Sequence, residues 1–150
     1  MKKMLFLMNP YAGMRRANRV LTDILSLFNR RGYEVTVHMT AGPGDGASVV
    51  EALAGSMDLV VCAGGDGTFN ETVTGLLRSG ADAPVGYIPC GSTNDFANSL
   101  KLPVNVLQAA QVIVDGDGLG GGAVQHTPGT GWEQGKDLSL IHISEPTRPY

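Results

Sequence analysis

Gly64-Gly65-Asp66-Gly67-Thr68 decides the fold because of what stands on either side of it. Before it, Leu59-Val60-Val61-Cys62-Ala63 is a short apolar run rich in β-branched residues, which suits a strand buried on both faces of a parallel sheet. After it, Phe69 to Leu77 can form a helix. The expected layout is strand, glycine turn, helix. Three glycines permit φ > 0 and remove side chains that would hold a ligand away. The helix N-terminus then offers unpaired N–H groups to an anion. Asp66 sets one carboxylate in this otherwise bare loop, and a hard oxygen ligand suits a magnesium–phosphate complex. The same five residues also read as a tight turn in which Asp66 and Thr68 act as caps. On the pentapeptide alone both readings stay open.

Working outward, the chain repeats the pattern. Met4 to Met8 reads as a first buried strand, and Asn9-Pro10-Tyr11-Ala12-Gly13 as a turn. Ala17, Leu21, Ile24, Leu25 and Phe28 recur at helical spacing and predict a helix over about 15–31, ended by Gly32. Tyr33 to Met39 alternates as a second strand, closed by Thr40. Asp45 to Ala54 is a helix with Val49, Val50 and Leu53 inward. Downstream of the glycine turn, Thr68-Phe69-Asn70-Glu71 has the form of a capping box, which is the plain structural reading of Glu71. Val73, Leu76 and Leu77 face the core. Pro84 to Ile88 is the next strand, Gly91-Ser92-Thr93-Asn94-Asp95-Phe96-Ala97 a second polar turn, and Val104 to Val114 a last helix.

Alternating strands and helices predict an α/β, Rossmann-like parallel sheet with helices on both faces. Ligands of such sheets bind beyond the carboxyl ends of the strands. The turns Asn9–Gly13, Thr40–Gly44, Gly64–Thr68 and Gly91–Asp95 are dispersed in sequence but converge on that edge.

Composition narrows the class. The 150 residues fit one domain with a real core. A net charge of −3 gives no basic field for nucleic acid. Cys62 and Cys90 make no disulfide framework, which points to a reducing compartment and to small buried hydrophobes. The opening Lys2-Lys3 and Met4 to Met8 imitate a signal peptide, but Asn9-Pro10 ends the apolar run short of the roughly 7 residues a signal core needs. Walker A and Gly-x-Ser-x-Gly patterns are absent. His38, His126 and His142 lack metal-ligand spacing, so His38 reads as an ordinary strand residue. Arg15 and Arg16 read as a solvated helix face.

After Asp115 the apolar period ends. Gly116, Gly118 and Gly121 match a dinucleotide fingerprint, rejected because no helix pattern follows and Pro128 interrupts. The expected division is a nucleotide-binding domain over 1–118 and an unstructured tail over 119–150. Leu138 to Tyr150 resembles translated sequencing adapter, so the chain is expected to be non-native from about 138 and the natural sequence to break off after Asp115.

The Asn9–Gly13 turn, Gly64 to Glu71, and Gly91 to Ala97, in this order, resemble the catalytic domain of diacylglycerol kinases, of the bacterial soluble diacylglycerol/sphingosine kinase type. The resemblance covers roughly residues 2–115. The glycine pentapeptide alone is shared with NAD kinases. The resemblance implies ATP-dependent phosphorylation of a lipid hydroxyl with Mg2+. It carries ATP contacts onto Asn9, Pro10, Gly13, Thr40, Gly64, Gly65, Asp66, Gly67, Thr68, Glu71 and Ser92. Asn94 and Asp95 would shape the pocket. Asp66 would belong to the catalytic and magnesium network, completed by ligands of a second, β-rich domain that also supplies the lipid surface and a carboxylate base. The implied setting is cytoplasmic, peripheral to the inner membrane face, with a lipid substrate, a possible homodimer and no nucleic acid. The fragment alone is expected to be inactive. An NAD kinase-like enzyme and a nucleotide-binding module without turnover remain the alternatives.

Overall fold

The computed structural model describes residues 1–11, 19–90, 105–119, 123–127, 131–133 and 140–142, with side chains described no further than Gly116. In chain order the elements are β1 (Lys2–Met8), α1 (Leu21–Arg30), β2 (Tyr33–Met39), α2 (Asp45–Leu53), a 3-10 turn (Ala54–Ser56), β3 (Leu59–Gly64), α3 (Asp66–Ser79), β4 (Val85–Pro89) and α4 (Val106–Leu119). β1 to β4 run parallel in the order β2-β1-β3-β4. This is the expected α/β class.

The period of two in a strand builds two cores from one sheet. Met4, Phe6 and Met8 of β1 join Ile24 and Phe28 of α1 and Ala109, Ala110 and Ile113 of α4 on one face. Phe6 meets Phe28 edge-on, with ring centroids 5.8 Å apart. Leu5 and Leu7 point the other way, onto Val50 of α2 and Phe69, Val73 and Leu76 of α3. β3 lies between both helix layers and is buried along its whole length, which is why its sequence does not alternate.

Several boundaries differ from the sequence expectation. The described part of the first helix begins at Leu21, and residues 12–18 lie outside the described set. Gly32 follows that helix at φ 90°, the left-handed position expected of it. Leu53 is at the surface rather than inward. α4 continues through Gly116 and Gly118 to Leu119, past the end of the apolar period. A helical glycine costs only about 1 kcal/mol against alanine, too little to stop a helix anchored by Ala109 to Val114.

The expectation of an unstructured 119–150 is corrected in part. β5 (Ala123–Thr127), β6 (Gly131–Glu133) and β7 (Leu140–His142) extend the sheet beyond β4. β7 is antiparallel to β4, with Ile141 opposite Val85, and β5 lies parallel to β7. The physical reason is the edge of β4. Its outward N–H and C=O groups need partners, and a short extended segment supplies them.

Candidate functional site

Because β1 to β4 are parallel, their carboxyl ends share one edge. Strand order reverses between β1 and β3, the switch point at which open α/β sheets leave a crevice. The first two turns are tied together there. Asn9 donates its N–H to the Ala63 carbonyl at 3.0 Å, and its Oδ1 accepts the Tyr11 N–H at 3.0 Å, closing an Asx turn around Pro10. Thr40 donates its N–H to the Met8 carbonyl at 2.9 Å. A cavity of about 290 Å³ opens between them. Asn9 and Tyr11 form one wall and Thr40 to Pro43 a second. Gly46 of α2 and Gly67, Thr68 and Glu71 of α3 complete it.

The glycine turn works differently from the expectation. Gly64, Gly65 and Gly67 have no positive φ; among described glycines only Gly32, Gly44 and Gly80 do. Gly64 is required by close approach instead. A Cβ there would stand 2.5 Å from Thr68 Oγ1 and 2.7 Å from Thr68 Cβ. A Cβ on Gly67 would meet nothing within 4 Å, so that backbone faces open space on the cavity side.

Thr68 and Asp66 are not the caps of α3. Gly65 is the N-cap, Asp66 begins the helix, and no side chain caps the terminus. The capping-box reading of Thr68 and Glu71 is therefore corrected. α2 likewise starts from Gly44 without a side-chain cap. Two helix N-termini thus border one cavity, and each brings a positive end and first-turn N–H groups suited to an anion. Glu71 Oε1 is buried with no hydrogen-bond partner, lodged 3.4 Å from where a Gly46 Cβ would be. A buried carboxylate oxygen without a donor is costly. A ligand bearing O–H or N–H groups would relieve it.

Asp66 stands on the same turn but not in the cavity wall. Its Oδ1 accepts a hydrogen bond from the Tyr87 hydroxyl of β4 at 3.1 Å. The Tyr87 ring is fully buried and stacks on Phe69, with centroids 4.7 Å apart. Burial above all, then the nearby Cys62 and Asp66, push the Tyr87 phenol well above its ordinary range, so it remains a donor. The sequence reading passed over Tyr87. The signal was there: a tyrosine inside a buried strand needs a partner for its hydroxyl. Cys62, pushed up to about 12 by burial, is the inert hydrophobe expected.

The Thr40–Gly44 wall has a clasp that the sequence reading also missed. Asp45 Oδ2 lies 2.9 Å from His38 Nε2 and accepts the Ala41 N–H at 2.8 Å. The hydrogen bond from His38, then that from Ala41, holds the Asp45 carboxyl below its ordinary 3.8. A depressed carboxyl stabilises the folded loop above its ordinary range, and this contribution is lost as pH falls through the depressed value. Acid titration followed by NMR should therefore show the Ala41 amide resonance moving with a midpoint below 3.8. In Asp45→Asn that transition should vanish. An Ala41 resonance indifferent to pH in the wild type would remove the clasp.

Among the sequence-derived candidates, the structure brings Asn9, Thr40, Gly67, Thr68 and Glu71 around one cavity, with Pro10 in the adjoining turn. Gly64 ends β3 and Gly65 is the N-cap of α3, and neither lines the cavity. Gly13, Ser92, Asn94 and Asp95, like Arg15 and Arg16, lie outside the described residues. Among the described residues no group of three or more His, Cys, Asp or Glu could hold a metal ion. Magnesium needs only one or two protein carboxylates when phosphates supply the rest, so the single carboxylate of Asp66, on the turn next to the cavity, fits the chemistry of that ion.

Residues 3–120 match the diacylglycerol kinase catalytic domain. A diacylglycerol kinase of Staphylococcus epidermidis is 39% identical over 116 residues, covering 77% of this chain and 37% of the relative. One of Bacillus subtilis is 38% identical over 118 residues, covering 77% of this chain and 39% of the relative. The crystal structure of a diacylglycerol kinase from Bacillus anthracis superposes with a TM-score of 0.68 at 30% identity, covering 76% of this chain and 42% of that one. The chain thus spans well under half the length of these proteins.

Proposed function

The chain belongs to the diacylglycerol kinase catalytic domain family, and on that premise we propose that it is the nucleotide-binding part of an ATP-dependent lipid kinase. The whole enzyme would transfer the γ-phosphoryl group of ATP to the hydroxyl of diacylglycerol or a similar lipid. The observation that carries the reading is the orphaned Glu71 oxygen in a cavity bordered by two uncapped helix N-termini. A phosphate chain suits the N–H groups, and the sugar or base of a nucleotide suits a carboxylate acceptor.

Each residue then has a task. The first turns of α2 and α3 take the phosphates, with Gly67 leaving them room. Asn9 and Thr40 shape the wall, and Glu71 accepts a donor from the sugar or base. Ser92 and Gly13 would add contacts, with Asn94 and Asp95 shaping the same pocket. Asp66 is the candidate magnesium ligand, and that ion, when bound, neutralises charge on the phosphates. In the transfer the lipid oxygen bonds to the γ-phosphorus, the bond to ADP breaks, and the hydroxyl proton passes to a base. We assign the base, the remaining magnesium ligands and the lipid surface to the kind of sequence that fills the rest of the relatives' length. This chain by itself would bind nucleotide without phosphorylating lipid.

Among the described residues no helix is long and apolar enough to cross a membrane. Peripheral contact at the cytoplasmic membrane face, in a homodimer or a monomer, suits a kinase with a lipid substrate. The test is a chimera carrying residues 1–118 on the remaining length of the Bacillus subtilis relative, given γ-labelled ATP and mixed lipid–detergent micelles. Label should partition into organic solvent. Label confined to a soluble dinucleotide product would assign an NAD kinase activity instead, and no labelled product from a well-folded chimera would overturn the kinase reading.

A further inference from the structure

We propose that Tyr87 is a positioning residue for the Asp66 carboxylate. The inference rests on the nucleotide reading above and adds to it a residue outside the cavity. Asp66 is flanked by Gly65 and Gly67, so its sequence neighbours offer no side chain to confine it. A partner comes from β4, on the face of the sheet that α3 covers. Tyr87 is fixed by full burial in β4, with Cys62 beside it on β3 and Phe69 stacked on its ring. Its hydroxyl reaches Asp66 Oδ1 at 3.1 Å. A rigid donor thus holds the carboxylate that begins α3.

The direction of that bond matters. Gly67 and Thr68 line the cavity, whereas Asp66, one residue earlier, turns toward β4. Glu71 already brings one carboxylate to the cavity, and a second turned into it would add to the repulsion of the phosphates that two helix N-termini attract. Held at the β4 side, it leaves the N–H groups to the anion and keeps its charge at the margin, where a cation bound to phosphate can use it.

Two measurements on the 150-residue chain test this. The first needs no ligand: three-bond couplings report the side-chain rotamers of Asp66 in wild type and Tyr87→Phe. The wild type should show one rotamer and the variant an average. The Phe ring preserves the stack on Phe69, and a melting curve checks that the fold survives. The second is calorimetric titration with ATP, with and without Mg2+. Mg2+ should tighten ATP binding to the wild type. Tyr87→Phe should keep the Mg2+-free affinity and lose about tenfold of the Mg2+ enhancement, the size of one hydrogen bond to a charged group. In an Asp66→Asn background, Tyr87→Phe should cost nothing further. An unchanged Asp66 rotamer in Tyr87→Phe, or an equal loss in the Asp66→Asn background, would overturn the inference. A wild type that binds no ATP while Asp66 behaves as expected would overturn the nucleotide reading and uphold the Tyr87 anchor.

Discussion

Asp66→Asn is expected to cut lipid phosphorylation by about a hundredfold or more while the melting temperature barely moves. The two halves of this expectation have separate causes. A metal-bound carboxylate contributes several kcal/mol of charge stabilisation to phosphoryl transfer, and each 1.36 kcal/mol is a factor of ten in rate. Asn cannot replace that charge. Stability should shift by no more than about 1 kcal/mol, the size of a first-turn carboxylate's interaction with the helix dipole. The Asn side-chain oxygen can also still accept the Tyr87 hydroxyl, which now donates at 3.1 Å. The assay belongs in the chimera described above, with melting followed by calorimetry. Normal turnover in the variant would return Asp66 to the role of a turn residue.

Gly75→Ala carries the second large effect, and it falls on the fold. Gly75 sits in the middle of α3, where alanine is ordinarily the better residue by roughly 0.5–1 kcal/mol. Here a Cβ would stand 2.6 Å from the Ala47 carbonyl oxygen and 2.7 Å from Val50 Cβ. The first of these is backbone inside α2 and cannot swing aside. Overpacking of this kind costs about 1–3 kcal/mol, which outweighs the propensity gain. For a chain of 150 residues, each kcal/mol is about 2–4 °C of melting temperature. The variant should therefore melt several degrees below the wild type. Pushing α2 from α3 also moves Gly46 relative to Glu71, so ATP affinity should fall with it. A variant melting at or above the wild-type temperature would mean that the two helices do not meet at Gly75.

What the sequence disclosed and what it hid follow from range. β3 and the glycine turn were legible because a strand buried on both faces writes a continuous apolar run. α3 and α4 were legible from apolar spacing, although their ends shifted. The convergence of Asn9, Thr40 and Thr68 followed from parallel connection alone, without any side-chain detail. The features missed depend on contacts that only the folded backbone makes, some around a single turn and others between distant elements. Nothing in the local pattern says that a Cβ on Gly64 would collide with Thr68, four residues on; the glycine pattern suggested left-handed backbone instead. His38 and Asp45 lie on opposite sides of a turn, and only the folded chain shows that one carboxylate serves both the imidazole and the Ala41 amide. The strand at Leu140 to His142 is set by the open edge of β4, a partner far away in sequence. Glu71 was singled out by the family motif, but its local pattern read as a cap. Its burial without a donor is what separates the two roles.

The most direct test of the account is to map ATP onto the chain by backbone amide NMR. Titration with MgATP should shift the resonances of Asn9, Thr40, Gly46, Gly67, Thr68 and Glu71, which border the cavity at the carboxyl edge of the sheet. The groove between α1 and α4, lined by Leu27, Leu107 and Gln111, should stay unperturbed. Shifts concentrated in that groove, or no saturable shifts at the cavity, would contradict the assignment of the nucleotide site.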